Sequence, residues 1–456
     1  MTDTPQARAK AETPARRAAS GAWVALPVLM VVYLVNFMDR QLFAVLQEQI
    51  KADLALTDSQ LALLGGTMFA VFYATLGLPL AWLADRTNRV RLVALACAVW
   101  SLFTVLSGMA TNFLTMALAR IGVASGEAGG VSPSYSILSD YFPPERRGFA
   151  IGLFSIGAPL GLMAGSYLGA AIAGALGWRW AFILLGAPGL LLALGLYLAV
   201  REPVRGRFDP GAEAPRKPAR PLDAMRTVIT TPSLVLLTLA AAATSFTGYG
   251  LYQWIPSFLQ RAQGLELEAV GRFLSPIFAL GVFGALIGGW IADRIGKTRP
   301  AAYALVPAVT LTVSAPFFFA ALITTDGHLS LLLLAFPTLL SYAWIGPTLA
   351  ASQTLSSPAI RASVAAIMGF FNNLIGFGLG PLLVGVLSDT LQGAGAAPGE
   401  ALRTALIVGA GGYVAAIALF IAAGFTIKRD LARRNQSPAA ASRESPAPGA
   451  PGPREP

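Results

Sequence analysis

The sequence predicts an all-α polytopic membrane protein with twelve transmembrane helices in two six-helix bundles. Three observations predict it: a composition too apolar for a soluble domain, twelve apolar runs of membrane-spanning length, and a basic loop motif that occurs once in each half. Of 456 residues, 55% are hydrophobic and 12% charged, and mean hydropathy is +0.63; soluble domains carry about 25% charged residues. The formal net charge of +10 gathers in short stretches between apolar runs. That distribution suits a lipid headgroup surface and excludes a nucleic-acid partner.

A helix needs about 20 apolar residues to cross the hydrocarbon layer. In the first half such runs lie near Trp23 to Leu46, Leu61 to Ala84, Val90 to Ala110, Leu114 to Tyr135, Ala150 to Leu176 and Trp180 to Val200. In the second half they lie near Leu234 to Leu259, Phe273 to Ala292, Ala301 to Ile323, Leu329 to Ala351, Ser363 to Leu387 and Ala401 to Phe425. The domain layout follows: a disordered tail over 1–20, a bundle over 21–200, a Pro, Arg and Lys rich linker over 201–229, a second bundle over 230–428 and a second tail over 429–456. The first twenty residues lack the apolar core of a cleavable signal peptide, and the Pro, Ala and Ser rich end cannot bury a core.

Basic residues set the orientation, because cytoplasmic loops carry an excess of Lys and Arg. Alternate connections hold Arg86, Arg89 and Arg91, then Arg146 and Arg147, then the linker, then Arg294, Lys297 and Arg299, then Arg361. The opposite connections carry only scattered Lys51, Arg179, Arg261, Arg272 and Arg403. Both termini are therefore expected in the cytoplasm, in agreement with Lys428, Arg429, Arg433 and Arg434 after the last run.

The motif after the second run carries Ala81, Asp85, Arg86, Asn88, Arg89 and Arg91, and the motif after the eighth carries Gly289, Asp293, Arg294, Gly296, Lys297 and Arg299. The offset, 293 − 85 = 208 residues, is close to half the chain, as an internal repeat requires. This pattern resembles the loop motif of the major facilitator superfamily. Asp85, Arg86, Arg89, Asp293, Arg294 and Lys297 are expected to form a cytoplasmic gate, with carboxylate and arginines bridging helix ends that part when that side opens.

Charges inside the apolar runs carry the functional information. The first run contains Asn36, Asp39 and Arg40, and the fourth contains Arg120 and Glu127. Each ionised group near the bilayer centre costs about 2.5 to 3.5 kcal/mol on insertion scales, so four facing lipid would cost roughly 10 kcal/mol. They are expected to face a wet cavity or one another. Arg120 and Glu127, seven residues apart, share one face of a helix. Arg40 is expected to meet an anionic substrate group through paired hydrogen bonds. Asp39 and Glu127, with Arg120 nearby, are the expected proton-coupling carboxylates, poised between burial and a neighbouring positive charge. Ion pairs that merely hold two helices together are the bland alternative, and small apolar residues would do that more cheaply.

The second half shows no Lys, Arg, Asp or Glu in the middle of its runs. Its cavity candidates are Tyr249, Tyr252, Gln253, Trp254, Tyr342, Trp344, Asn372 and Asn373, of which Tyr249, Gln253, Tyr342, Trp344, Asn372 and Asn373 join Arg40 and Asn36 as the expected substrate-binding set. A cavity charged on one wall and aromatic on the other suits an amphipathic anion better than a sugar. The glycines of the fifth run, Gly157, Gly161 and Gly165, and of the eleventh, Gly376, Gly378 and Gly380, let neighbouring helices approach closely.

Over nearly the whole chain apart from the tails, the sequence resembles a bacterial member of the Spinster branch of the major facilitator superfamily. The residues that carry this are Asn36 to Gln41, Leu76 to Arg91, Ala119 to Gly130, Ser139 to Arg147 and Pro381 to Asp389. The charged pattern is also similar to the anion:cation symporters. The resemblance implies transport of lysolipid-like or sphingoid phosphate molecules, with Arg40, Asp39, Arg120 and Glu127 matching the charged cavity residues of the family.

The expected function is secondary active transport of an amphipathic or organic anion by alternating access, coupled to protons. Competing readings are an uncoupled facilitator or exporter with the buried charges as a gate, and a transporter-like sensor. An enzyme is not expected: His328 is the only histidine and falls in a polar break, Cys97 is the only cysteine, and no nucleotide or nucleophile motif is present. No cofactor and no metal site are expected, and the expected partners are the substrate, protons and the bilayer. The chain is expected to be a monomer in the inner (plasma) membrane.

Overall fold

The computed structural model describes residues 14–208, 221–296, 298–357 and 360–435. Lys297 of the second motif, the middle of the linker and the outer parts of both expected tails lie outside the described residues. The helices are α1 (Pro14–Leu54), α2 (Asp58–Arg86), α3 (Arg89–Ser107), α4 (Phe113–Glu127), α5 (Val131–Tyr141), α6 (Arg146–Leu176) and α7 (Trp178–Ala199) in the first half. A linker helix α8 (Pro221–Thr230) leads to α9 (Pro232–Leu251), α10 (Ile255–Arg261), α11 (Leu267–Gly296), α12 (Ala302–Ile323), α13 (Gly327–Leu355), α14 (Ser363–Gly393) and α15 (Pro398–Arg434). Helix begins at Pro14 and runs past residue 429, inside both stretches read as tails, because hydropathy marks the edge of the apolar run and not the end of the helix.

Among the described residues, eleven helices are long and apolar enough to cross a membrane. The fourth expected run is split: α4 ends at Glu127, a turn covers Ala128, Gly129 and Gly130, and α5 begins at Val131. The pair occupies the place of one span. Two successive glycines weaken the helix there, and the split leaves the Glu127 carboxylate at a helix end. Polar caps start several helices at their loops. Thr57 forms a reciprocal capping box with Gln60 at α2, Asn88 accepts from the Arg91 amide at α3, and Asn112 caps α4, each satisfying amides the first turn leaves unpaired.

Within the first half α1 packs along α6, and α3 against α4 and α7; in the second half α15 packs against α9 and α12, with α12 against α13. Two glycine contacts show how tightly. A Cβ added at Gly161 would lie 2.3 Å from the Leu34 carbonyl oxygen of α1, and one at Gly380 would lie 2.7 Å from the Gly250 Cα of α9. Both positions require glycine so that backbones can touch.

The halves meet through α6 against α11 and α2 against α14. Define the basic end as the end carrying the α2–α3 connection. Among the described residues, every hydrogen bond between halves joins residues 47–67 to residues 253–261 or 378–392. These residues extend from the opposite end to mid-depth. The seam is closed there, and no described hydrogen bond joins the halves at the basic end.

Candidate functional site

Three π turns interrupt the helices around the molecular centre: Leu63–Thr67 in α2, Phe246–Leu251 in α9 and Leu374–Leu379 in α14. Each adds a residue to a helical turn, and such bulges recur at functional sites. Gly65, Tyr249 and Phe377, one from each, line a central cavity of about 950 Å³ with its mouth included.

Arg40 of α1 is the one charged residue among those lining this cavity. Its Nε donates to Glu127 Oε2 at 2.7 Å, with the Glu127 side chain fully buried and that of Arg40 14% exposed. Around the guanidinium stand Phe37 at 5.1 Å, Phe69 at 4.7 Å, Tyr73 at 5.0 Å and Phe377 at 5.4 Å from the ring centroids. Phe377 comes from the second half. Four aromatic faces with one carboxylate hold the cation while leaving guanidinium donors available to an anion.

Of the expected substrate set, Arg40, Tyr249, Gln253, Tyr342 and Trp344 line the cavity. Tyr249 stacks on Phe377 at 4.2 Å, and Tyr252, also in the wall, shares a 3.0 Å hydrogen bond with Thr338. The remaining three lie elsewhere. Asn36 faces a smaller chamber inside the first half. Asn372 accepts a hydrogen bond from Ser245 and lines a separate cleft with Trp344 and Met368, and its neighbour Asn373 lines none of these spaces. Asn372 turns toward Ser245 and the separate cleft instead of the central cavity, and its neighbour points about 100° away from it around the helix.

The expected proton-coupling residues are close but do not form one cluster. Asp39 is 1% exposed and accepts from the Thr104 hydroxyl of α3 at 2.6 Å, on the side of α1 away from the cavity. Arg120 is 1% exposed and lies over Phe43 at 5.0 Å and Phe69 at 5.6 Å, so these rings stand between it and the cavity. Its Nε and Nη1 have no hydrogen-bond partner among the described residues. The direct partner of Glu127 is thus Arg40 and not Arg120.

The expected gate residues bond within their own halves. Arg89 is buried and donates to Asp140 at 2.5 Å and to Glu202 at 2.6 Å. Arg86 lies 3.8 Å above the Trp82 ring and Arg294 lies 5.7 Å from the Trp290 centroid. Asp85 is exposed, and Asp293 accepts a long 3.5 Å bond from Tyr303. Arg205 of the linker donates to the carbonyls of Ala84, Asp85 and Thr87, closing the C-terminal end of α2.

Sequence reasoning missed the polar lattice that closes the opposite end. Asp58 is fully buried and accepts from Lys51 at 2.6 Å, Arg261 at 2.8 Å, Ser388 at 2.7 Å and Gln392 at 2.9 Å. Arg261 also holds both oxygens of Glu48, at 2.6 and 2.7 Å, and Asp389 caps the start of α2 through the amides of Asp58 and Ser59. Burial opposes the Arg261 charge, yet its bonds to Asp58 and Glu48 raise its pKa above the ordinary value. The signal was present as Lys51 and Arg261 in otherwise bare connections. Counting basic residues for orientation ignores the acids they pair with.

The chain matches the family model described as Major Facilitator Superfamily over residues 29–381. It is 33% identical over 431 residues to an MFS-type efflux pump of Mycolicibacterium smegmatis, covering 94% of this chain and 98% of the pump. It is 30% identical over 426 residues to protein spinster homolog 1 of Xenopus tropicalis, covering 86% of this chain and 80% of that protein. The fold superposes on the crystal structure of a bacterial homolog to the human lysosomal transporter Spinster, in an inward-facing and unoccupied conformation, with TM-score 0.82, 32% identity, and coverage of 90% and 98%. An apolar helical shell, a duplicated motif and a cavity between halves agree with these likenesses: the chain belongs to the Major Facilitator Superfamily as a multi-pass secondary transporter, similar to the Spinster homologs and to an MFS-type efflux pump.

Proposed function

We propose that this transporter moves an amphipathic organic or lipid-like anion by alternating access and couples that movement to protons through Glu127. One observation carries the reading: the single charged residue of the cavity wall, Arg40, has a buried carboxylate, Glu127, as its ion-pair partner. An incoming carboxylate or phosphate competes with Glu127 for the guanidinium. Protonating Glu127 removes that competitor, so proton and anion favour each other's binding, which is the linkage a symporter needs. Arg120 offsets negative charge behind the wall, and Asp39 is a second protonatable carboxylate held by Thr104. Tyr249, Tyr342 and Trp344, with Gln253, supply an amphipathic opposite wall for the apolar body of the substrate.

In this reading the bundles over 21–200 and 230–428 rock about the cavity, the basic end faces the cytoplasm of the inner membrane with both termini, and Asp85, Arg86, Arg89, Asp293, Arg294 and Lys297 form the gate on that side. The absence of described bonds between halves there supports a cavity open to the cytoplasm. Similarity to an MFS-type efflux pump favours a second reading, an exporter without proton coupling in which Arg40 and Glu127 only gate. Proteoliposomes carrying wild type or Glu127→Gln, loaded with a lysophospholipid or a sphingoid phosphate, separate the two. Transport that responds to a pH gradient only when Glu127 is present supports coupling; transport indifferent to both supports the gate.

A further inference from the structure

Two carboxamides line the central cavity besides Arg40: Gln41 of α1 and Gln253, which sits in the break between α9 and α10. Gln41 is 6% exposed, and Nε2 of both side chains is buried with no hydrogen-bond partner among the described residues. No other residue of the cavity wall has a buried polar side-chain atom left unpaired. The wall's hydroxyls are already bonded within the second half: Thr244 donates to the Ala240 carbonyl, Ser245 to Asn372, Thr338 to the Leu334 carbonyl and Ser341 to the Thr338 carbonyl.

Both carboxamides lie on the closed side of Arg40. On α1, Gln41 follows Arg40 toward Gln47, whose Nε2 donates across the seam to the Gln253 carbonyl at 3.2 Å and to the Ser257 hydroxyl at 2.5 Å. Trp254 Nε1 donates to the Pro381 carbonyl at 3.1 Å, so the break is pinned to α1 on one side and to α14 on the other. The π turn of α2 presses on the same spot: a Cβ added at Gly65 would lie 2.4 Å from Gln253 Nε2. The backbone that carries Gln253 is fixed while the end of its side chain is unbonded, which is the arrangement of a preorganised binding group. A buried polar group without a partner is unfavourable by about as much as a lost hydrogen bond, and with no bond to lose each carboxamide can turn about its last torsion to offer a guest its nitrogen as donor or its oxygen as acceptor. We infer that Gln41 and Gln253 select the substrate: they favour an anionic group flanked by a hydroxyl or carbonyl, as in a lysophospholipid head, over a fatty acid or a simple alkyl anion. A guest with those groups pairs the amides. A bare anion dries the site and leaves them unpaired, which is how a site built for hydrogen bonds rejects the analogue that lacks them. Arg40 reads only the charge and is blind to this difference.

This inference rests on Arg40 binding the anion, and the test keeps the two ideas apart. Titration calorimetry of the purified full-length chain in detergent compares a lysophosphatidic acid with an n-alkyl phosphate of equal chain length. Both carry a phosphate monoester, and only the first has a hydroxyl and an ester carbonyl beside it. Wild type is expected to bind the lysophosphatidic acid about tenfold or more tightly, the size of one to two neutral hydrogen bonds. Gln41→Met and Gln253→Met keep the side-chain length without the amide, and they lie on different elements, so one stands if the other fails to fold. In each the preference is expected to fall toward one through lost lysophosphatidic acid affinity, with alkyl phosphate binding unchanged, a split that a general loosening of the fold would not give. Arg40→Ala is expected to weaken both ligands alike. Equal affinities in wild type, or a preference kept in both Met variants, overturn selection by the carboxamides and leave the anion site standing. Binding of neither phosphate to wild type, or of both to Arg40→Ala at wild-type strength, overturns the anion site and the inference with it.

Discussion

At the residue scale the central fact is a single cation in an aromatic wall. Arg40 is held from one side by Glu127 and from the others by Phe37, Phe69, Tyr73 and Phe377. A guanidinium binds an anion bidentately, and a lysine offers only a point charge. Arg40→Ala is therefore expected to lower transport by about a hundredfold, and Arg40→Lys to recover part of it, in liposome flux assays; hydrogen bonds to charged groups are worth about 1.5 to 3 kcal/mol. Glu127→Gln mimics the protonated carboxylate. Anion binding, read by thermal stabilisation with a lysophospholipid, should tighten or stay level in that variant while acidification of the donor side no longer speeds uptake. In wild type, acidification of the donor side is expected to raise uptake, because protonating Glu127 releases Arg40 to the anion.

At the scale of elements, the seams between helices decide which side is closed. The contacts of Arg261 with Glu48 and Asp58 are desolvated and doubly bonded, and breaking such a buried pair from one side costs about 3 to 5 kcal/mol. Arg261→Ala should shift the balance toward the state open at the opposite end by about two orders of magnitude or more. Spin-label distances between Ser59 and Gln392 positions would lengthen; unchanged distances would mean the lattice does not hold the seam. The α1–α6 contact depends on glycine instead. With 2.3 Å between a Cβ at position 161 and the Leu34 carbonyl, Gly161→Val forces the backbones apart and is expected to cost about 1 to 3 kcal/mol or more, visible as a lower melting temperature in detergent. A melting temperature equal to wild type would mean the helices have room to spare.

For the whole molecule, hydropathy and loop charge were enough to divide the chain into spans, since crossing lipid demands an apolar length that is visible residue by residue. Two expected spans do not stand as single helices: α4 with α5 breaks at Gly129 and Gly130, where polar and flexible residues already diluted the run, and α9 with α10 breaks at Gln253 and Trp254. Arg40, Tyr249, Gln253, Tyr342 and Trp344 were legible as cavity residues because polar or amphipathic groups at membrane depth must avoid lipid. Depth alone does not tell which hollow a side chain faces. Asn36, Asp39 and Arg120 are polar residues within the same apolar runs as Arg40 and Glu127 but turn toward α3 or behind aromatic rings, a rotation about the helix axis that no single-helix pattern encodes.

By itself the sequence determined the class of the molecule, its repeat and its charged heart, because lipid penalises every misplaced polar group and so writes the spans and their exceptions into composition. Only the tertiary structure decided the pairing of Arg40 with Glu127, the three π turns that shape the cavity, and the lattice of Glu48, Asp58, Arg261 and Asp389 that shuts one end. Those depend on which helices become neighbours after folding, and contacts between residues 213 and 331 positions apart, such as Glu48 with Arg261 and Asp58 with Asp389, leave no trace in local pattern.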